Sequence, residues 1–196
     1  MGKQQIEEIC NIHTWHKNKD KVMKFYSERR IQLGEVKPNK AHLAIAKLQK
    51  KYGKERVVVI TQNVDDLFER AGCTDVLHLH GKLKEIKCME CDYIEDIGYH
   101  PYFNKICPKC GKESLKPNIV FFYEYAPNYH LMKRYFRQST HNDIFVVIGT
   151  MGNVVAIDRE LEFIYSKIKI LNNLENNKYI NQKNLIMFFF SLQLKL

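Results

Sequence analysis

Arg56-Val-Val-Val-Ile-Thr61 runs directly into Gln62-Asn-Val-Asp-Asp66. The first half is a continuous β-branched run, the pattern of a strand buried on both faces of a parallel sheet. The second half is a polar turn at the strand's carboxyl end, where open α/β sheets place their ligands. Asp143-Ile-Phe-Val-Val-Ile148 repeats the pattern and ends at Gly149-Thr150. Between and around these runs the period is helical. Val22, Phe25, Tyr26, Arg29 and Leu33 recur on one face behind Asp20 as N-cap, and Asn39 caps a second helix, Lys40 to Tyr52, that stops at Gly53. Asp65 to Ala71 reads as a short helix closed by Gly72, and Val76 to His80 and Asn118 to Phe122 as short strands. Asn128 to Gln138 is helical, a further helix follows Gly152, and Lys167 to Leu171 is another strand. Strands alternating with helices imply an α/β fold around a parallel sheet.

Composition narrows the class. The 196 residues are 45% hydrophobic and 27% charged, an ordinary globular balance. The net charge of +9 is concentrated in residues 1–60, which hold 14 basic and 6 acidic side chains. The longest apolar run, Leu185 to Phe190, is far below the roughly 18–20 residues a membrane helix needs, so no membrane association is expected. That run reads either as a last core strand or as an aggregation-prone end. Six cysteines behind an N-terminus without an apolar signal segment point to a reducing, cytoplasmic setting, where paired cysteines bind metal.

The alternation breaks between Leu83 and Pro117, where Cys88-x2-Cys91 and Cys107-x2-Cys110 stand fifteen residues apart. Two such knuckles bring four thiolates onto one tetrahedral zinc ion and leave no position for water, so the site is expected to be structural. Cys10 and Cys73 read as buried thiols. In Leu77-His78-Leu79-His80-Gly81, alternation puts His78 and His80 on one face, and Gly81 frees the backbone after His80. Histidine is the side chain best able to exchange a proton near neutral pH. Read alone, Thr61 to Asp66 is equally a ligand site or a polar turn with Asp65 as a cap.

Taken together, Thr61-Gln-Asn-Val-Asp65, Leu79-His80-Gly81, the paired knuckles, Gly149-Thr150 and Asn173-Leu174-Glu175 resemble, in order and spacing, the sirtuins, NAD-dependent protein lysine deacylases. The resemblance covers about residues 5–178 and implies a Rossmann-like sheet with an inserted zinc ribbon. It implies a dinucleotide domain over residues 1–82 and 118–180, a zinc module over 83–117 and a divergent tail over 181–196. NAD+ and Zn2+ are then the cofactors, and acylated lysine side chains of proteins the substrates. His80 would be the general base; Gln62, Asn63, Val64 and Asp65 would line the ribose and nicotinamide pocket. Gly149, Thr150, Met151 and Asn173 would contact the cofactor. Ile119, Val120, Phe121 and Phe122 would pair as a strand with the substrate peptide. Tyr26-x-x-Arg29 before Pro38-Asn39-x-x-His42 resembles the class III branch, in which a guanidinium and a phenol take a succinyl or malonyl carboxylate.

The resemblance has departures. No Gly-Ala-Gly-type phosphate loop or preceding strand precedes Met1-Gly-Lys-Gln-Gln, so an incomplete sheet and weak cofactor binding by this chain are expected. Met151 follows Gly149-Thr150 in place of serine, and Tyr123 occupies the place of a glycine after Phe122. The alternative expectation is an inactive, zinc-stabilised scaffold that binds acylated peptides. A nucleic-acid binder is disfavoured, because no aromatic and basic residues interleave near the cysteines.

Overall fold

The computed structural model describes residues 7–150, 152, 154–174, 180 and 185–189. In chain order the elements are α1 (Trp15–Glu35), α2 (Lys40–Tyr52), β1 (Ile60–Thr61), α3 (Leu67–Ala71), β2 (Leu77–His78), β3 (Gly81–Cys88), β4 (Ile94–Asp96) and β5 (Leu115–Ile119). There follow α4 (Tyr129–Gln138), β6 (Ile144–Ile148), α5 (Ile157–Leu161), β7 (Ile168–Asn173) and β8 (Ile186–Phe189). They fall into two compact units, residues 1–128 and 129–196. No helix among the described residues is long and apolar enough to cross a membrane.

In the first unit, Trp15, Val22, Tyr26 and Leu33 form the buried stripe of α1. They pack with Leu83, Ile86, Leu115 and Phe121 into one core, at about 1.5–3 kcal/mol for each fully buried apolar side chain. The helix begins at Trp15 behind Thr14, five residues before Asp20. Trp15 packs edge-on against Phe121 at 5.9 Å, so burial of the indole extends the helix past the cap read from sequence. Asn39 does cap α2: its Oδ1 accepts from the N–H groups of Ala41 and His42, and its own N–H donates to His42 Nδ1.

β1 and β2 pair in parallel, Ile60 opposite Leu77 and Thr61 opposite His78. Only the last two residues of the Arg56–Thr61 run are laddered, because a strand needs a partner; Val58, 42% exposed, has none among the described residues. β3 is the centre of an antiparallel sheet ordered β4-β3-β5. The β5 ladder covers Leu115–Ile119, three residues earlier than Asn118–Phe122, since Val120 N–H and Phe122 N–H turn to the carbonyls of His80 and Cys10.

In the second unit β6, β7 and β8 pair in parallel in that order. The apolar run near the C-terminus is therefore a last strand. Phe145 meets Phe136 of α4 edge-on at 5.2 Å, whereas Ile144, Val146 and Ile148 are exposed, Ile144 at 61%. Thus β6 is covered on one face among the described residues, where the sequence pattern implies two.

Replacing Asn39 by Ala removes the side-chain acceptor of the Ala41 and His42 N–H groups at the start of α2. It is expected to cost about 1 kcal/mol, read as a lowered urea midpoint with unchanged m-value.

Candidate functional site

The four cysteines close on one point. Cys88 Sγ lies 3.7 Å from Cys110 Sγ and Cys91 Sγ 3.6 Å from Cys107 Sγ, and all four sulfurs lie within 4.8 Å of one another. A tetrahedron of thiolates at about 2.3 Å from zinc has edges of about 3.8 Å, so the donors fit that ion. Each knuckle is shaped by backbone bonds: Glu90 N–H points at Cys88 Sγ at 3.3 Å, and Gly111, at φ +71°, donates to Cys107 O. The module is also tied to α1. Arg30, fully buried, donates to the carbonyls of His100 and Leu83 and to Ser27 Oγ, and Ser27 in turn bonds both backbone groups of Tyr102.

His80 follows β2, half-buried, with Nδ1 3.0 Å from Gln62 O. A carbonyl only accepts, so Nδ1 carries the hydrogen and the neutral ring has its lone pair on Nε2. Burial lowers the His80 pKa below the ordinary 6.5, and the bond to Gln62 only partly opposes this. The ring is therefore neutral at pH 7. His78 is the matching residue one pleat back: Nδ1 lies 3.2 Å from Asn63 O and Nε2 2.7 Å from Glu69 Oε1. Burial raises the Glu69 pKa, but the bond from His78 leads the opposing effects and leaves it below its usual value.

The loop these rings hold is Gln62 to Asp65. Asn63 N–H donates to Thr61 Oγ1, Val64 O accepts from Leu83 N–H, and Asp65 Oδ1 accepts from Leu67 N–H at the start of α3. The N-cap position of α3 is Asp66, so Asp65 holds the first helical N–H from one residue before the cap rather than as the cap itself. In the second unit Gly149 leaves β6 at φ +64°, and Asn173 Oδ1 and Nδ2 bond the N–H and carbonyl of Thr150 at 3.1 and 2.8 Å. Asn173 acts on the backbone of Thr150, and Met151 lies outside the described residues. Both loops sit at the carboxyl ends of parallel strands, where α/β sheets bind nucleotides.

The acyl-peptide residues are dispersed. Tyr26 is buried and stacks on Phe121 at 5.9 Å, its phenol bonded to the Cys10 thiol and its pKa raised, chiefly by burial. Arg29 is exposed, its Nη1 3.0 Å from Gln32 Oε1. Along Ile119, Val120, Phe121 and Phe122, the N–H groups of the last three go to His80 O, Glu124 Oε2 and Cys10 O. Tyr123, at φ +64°, is 67% exposed and bonds Glu7.

One pair at this site escaped the sequence reading. Lys116 Nζ is fully buried, 2.8 Å from Glu124 Oε2 and 2.6 Å from Ile119 O, over the Phe121 ring at 3.8 Å. Burial, then Lys87, lowers its pKa to about 8 against the pull of Glu124. The signal was a lysine between Leu115 and Pro117, just before the apolar run Ile119 to Phe122, with a carboxylate eight residues on.

Loops at the ends of parallel strands, with a tetrathiolate cluster, define a zinc-carrying protein of the dinucleotide-fold class. The Sir2 family model matches residues 1–156, and the chain belongs to that family. It is 48% identical over 154 residues to an NAD-dependent protein deacylase of Campylobacter jejuni (strain RM1221), covering 79% of this chain and 64% of the relative. To an NAD-dependent protein deacylase of Helicobacter hepaticus it is 45% identical over 186 residues, covering 86% and 73%. A Sir2 homologue crystallised with NAD superposes with a TM-score of 0.78 at 31% identity, over 92% of this chain and 71% of that one. The chain therefore spans a little under two thirds of the Campylobacter relative.

Metal analysis of the purified chain is expected to give one zinc per chain, lost in Cys107→Ser together with near-UV circular dichroism. Glu124→Gln strands the Lys116 ammonium and is expected to cost about 3–5 kcal/mol in urea unfolding, as when one partner of a buried pair is removed.

Proposed function

We propose that this chain carries the catalytic base and the nicotinamide-side loop of an NAD-dependent protein lysine deacylase. The observation that carries the reading is the His80 Nδ1–Gln62 O bond of 3.0 Å, which fixes the tautomer a general base needs. When bound, NAD supplies an anomeric carbon with nicotinamide as leaving group and takes up the acyl group. His80 Nε2 takes a proton from a ribose hydroxyl; its lowered pKa keeps it able to do so throughout the neutral range. Gln62, Asn63, Val64 and Asp65 line the nicotinamide side, on a backbone already held by Thr61, His78 and Leu83. Gly149 and Thr150 approach the cofactor through the backbone, next to Met151 in the sequence, and Asn173 keeps Thr150 in place.

The substrate is an acylated lysine of a protein, flanked by Ile119, Val120, Phe121 and Phe122. Tyr26 and Arg29, one helical turn apart on α1, select an acidic acyl group: Arg29 is exposed and able to swing to a carboxylate, while the buried Tyr26 phenol must leave the Cys10 thiol to join it. A cytoplasmic location belongs to the same proposal; none of the six cysteines forms a disulfide. The second reading, acyl-peptide binding without turnover, is favoured by one observation. The N–H groups of Val120, Phe121 and Phe122 are already bonded within the chain, and a peptide strand must use other groups or displace them.

The test is NAD-dependent release of succinate from a succinyl-lysine peptide. His80→Ala is expected to lower the rate 10²- to 10⁴-fold, roughly the worth of a general base. Arg29→Met is expected to raise KM for the succinyl but not the acetyl peptide. The acid limb of kcat/KM should have its midpoint below 6.5, because lowering the pKa preserves the neutral base as pH falls. Peptide binding without NAD-dependent release, from a folded and zinc-loaded chain, would establish the second reading.

A further inference from the structure

His78 is not used by the proposed chemistry, yet it is 3% exposed and both ring nitrogens face groups that accept. Asn63 O is a carbonyl, so Nδ1 donates to it at 3.2 Å; Nε2 lies 2.7 Å from Glu69 Oε1. The other Glu69 oxygen is buried with no hydrogen-bond partner among the described residues, and the His78 bond leads the effects that favour the carboxylate, ahead of the Glu69 backbone and Lys82. The backbone of His78 is fixed as well, since its carbonyl accepts from Asn128 Nδ2 at 2.7 Å and Leu79 N–H donates to Thr61 O.

One ring therefore bridges the middle of the Gln62–Asp65 loop and the helix that follows it. Asn63 N–H is held by Thr61 Oγ1 at 3.0 Å and its carbonyl by His78, while the preceding carbonyl is held by His80. The peptide planes on both sides of Asn63 are thus set by side chains, and with them the directions in which the Gln62 and Asn63 amides leave the chain. The His78 bond is the one hydrogen bond to Asn63 O among the described residues, so without it the plane between Asn63 and Val64 is held indirectly, through the packing of Val64 and the bond to its carbonyl.

We propose that His78 is a positioning residue for the nicotinamide side of the cofactor site, acting through Asn63 O, with Glu69 orienting its ring. The inference rests on the deacylase reading and adds to it a residue that touches neither cofactor nor substrate. Two near-isosteric variants separate the two bonds. His78→Asn places an amide N–H near the Nδ1 position and keeps the bond to Asn63 O; His78→Gln places one near the Nε2 position and keeps the bond to Glu69. Each loses one of two hydrogen bonds, so both should lower the urea midpoint to a similar degree.

The experiment is calorimetric titration of NAD into the zinc-loaded chain, alongside hydrogen–deuterium exchange at residues 62–66. His78→Gln is expected to weaken NAD binding about tenfold, the size of one lost buried hydrogen bond, and to speed exchange in the loop. His78→Asn is expected to rescue both. Equal behaviour of the two variants in binding and exchange would overturn the proposal and leave His78 a packing residue. If the wild-type chain binds no NAD, the deacylase reading fails. The exchange arm still decides the positioning role, because it reads the loop without cofactor.

Discussion

At Gly81 the backbone takes φ +85°, and a Cβ there would lie 1.9 Å from Asn118 O, an overlap no side chain survives. That close approach lets β3 cross β5 immediately after His80, with Gly81 opposite Ile119 and Val120 N–H bonded to His80 O. It fixes three things together: where His80 leaves β2, where the segment Ile119 to Phe122 leaves β5, and the direction in which β3 runs toward Cys88. The zinc cluster and His80 are thus the two ends of one eight-residue strand. Replacing Gly81 would disturb both, and no relaxation of a flexible side chain could absorb the clash, because the obstacle is backbone.

The first unit compensates for a modest apolar core with polar side chains buried against backbone. Arg30 holds carbonyls of the zinc module without any carboxylate, and burial lowers its pKa to about 10. Lys116 and Glu124 do the same for the turn after β5, where Glu124 accepts both from Lys116 and from Phe121 N–H. Such groups stabilise little in net terms, since desolvation offsets most of the attraction, but each forbids alternatives in which it is buried and unpaired. Geometry near the site is therefore specified more sharply than its burial would suggest.

Much of this was legible in the residues. Asn39, the paired knuckles, and the pleat that puts His78 and His80 on one face depend on local spacing, and local spacing is what a sequence displays. The parts that were not legible depend on partners distant in the chain. The Arg56–Thr61 run has the composition of a doubly buried strand, but only Ile60–Thr61 is laddered, because pairing belongs to two segments. Asp20 has the chemistry of a cap, but Trp15 finds Phe121 and the helix starts earlier. Arg30 sits one residue from Arg29, and only the packed structure distinguishes the buried guanidinium from the exposed one.

The residues assigned to the cofactor share one physical device in both units. Asn173 closes two hydrogen bonds on the peptide groups of Thr150; His80 and His78 each close one on the carbonyls of Gln62 and Asn63. A loop at the end of a strand has lost its ladder partner, and its peptide groups would otherwise turn to water and sample several orientations. Side chains from the neighbouring parallel strand supply the missing bonds: β7 for the loop after β6, and β2 with its exit for the loop after β1. Order in each loop is thus built before any ligand arrives. The loop after β1 is thus held from both sides within the stretch from Thr61 to Leu83, by side chains of Thr61, His78 and His80 and by the Leu83 N–H.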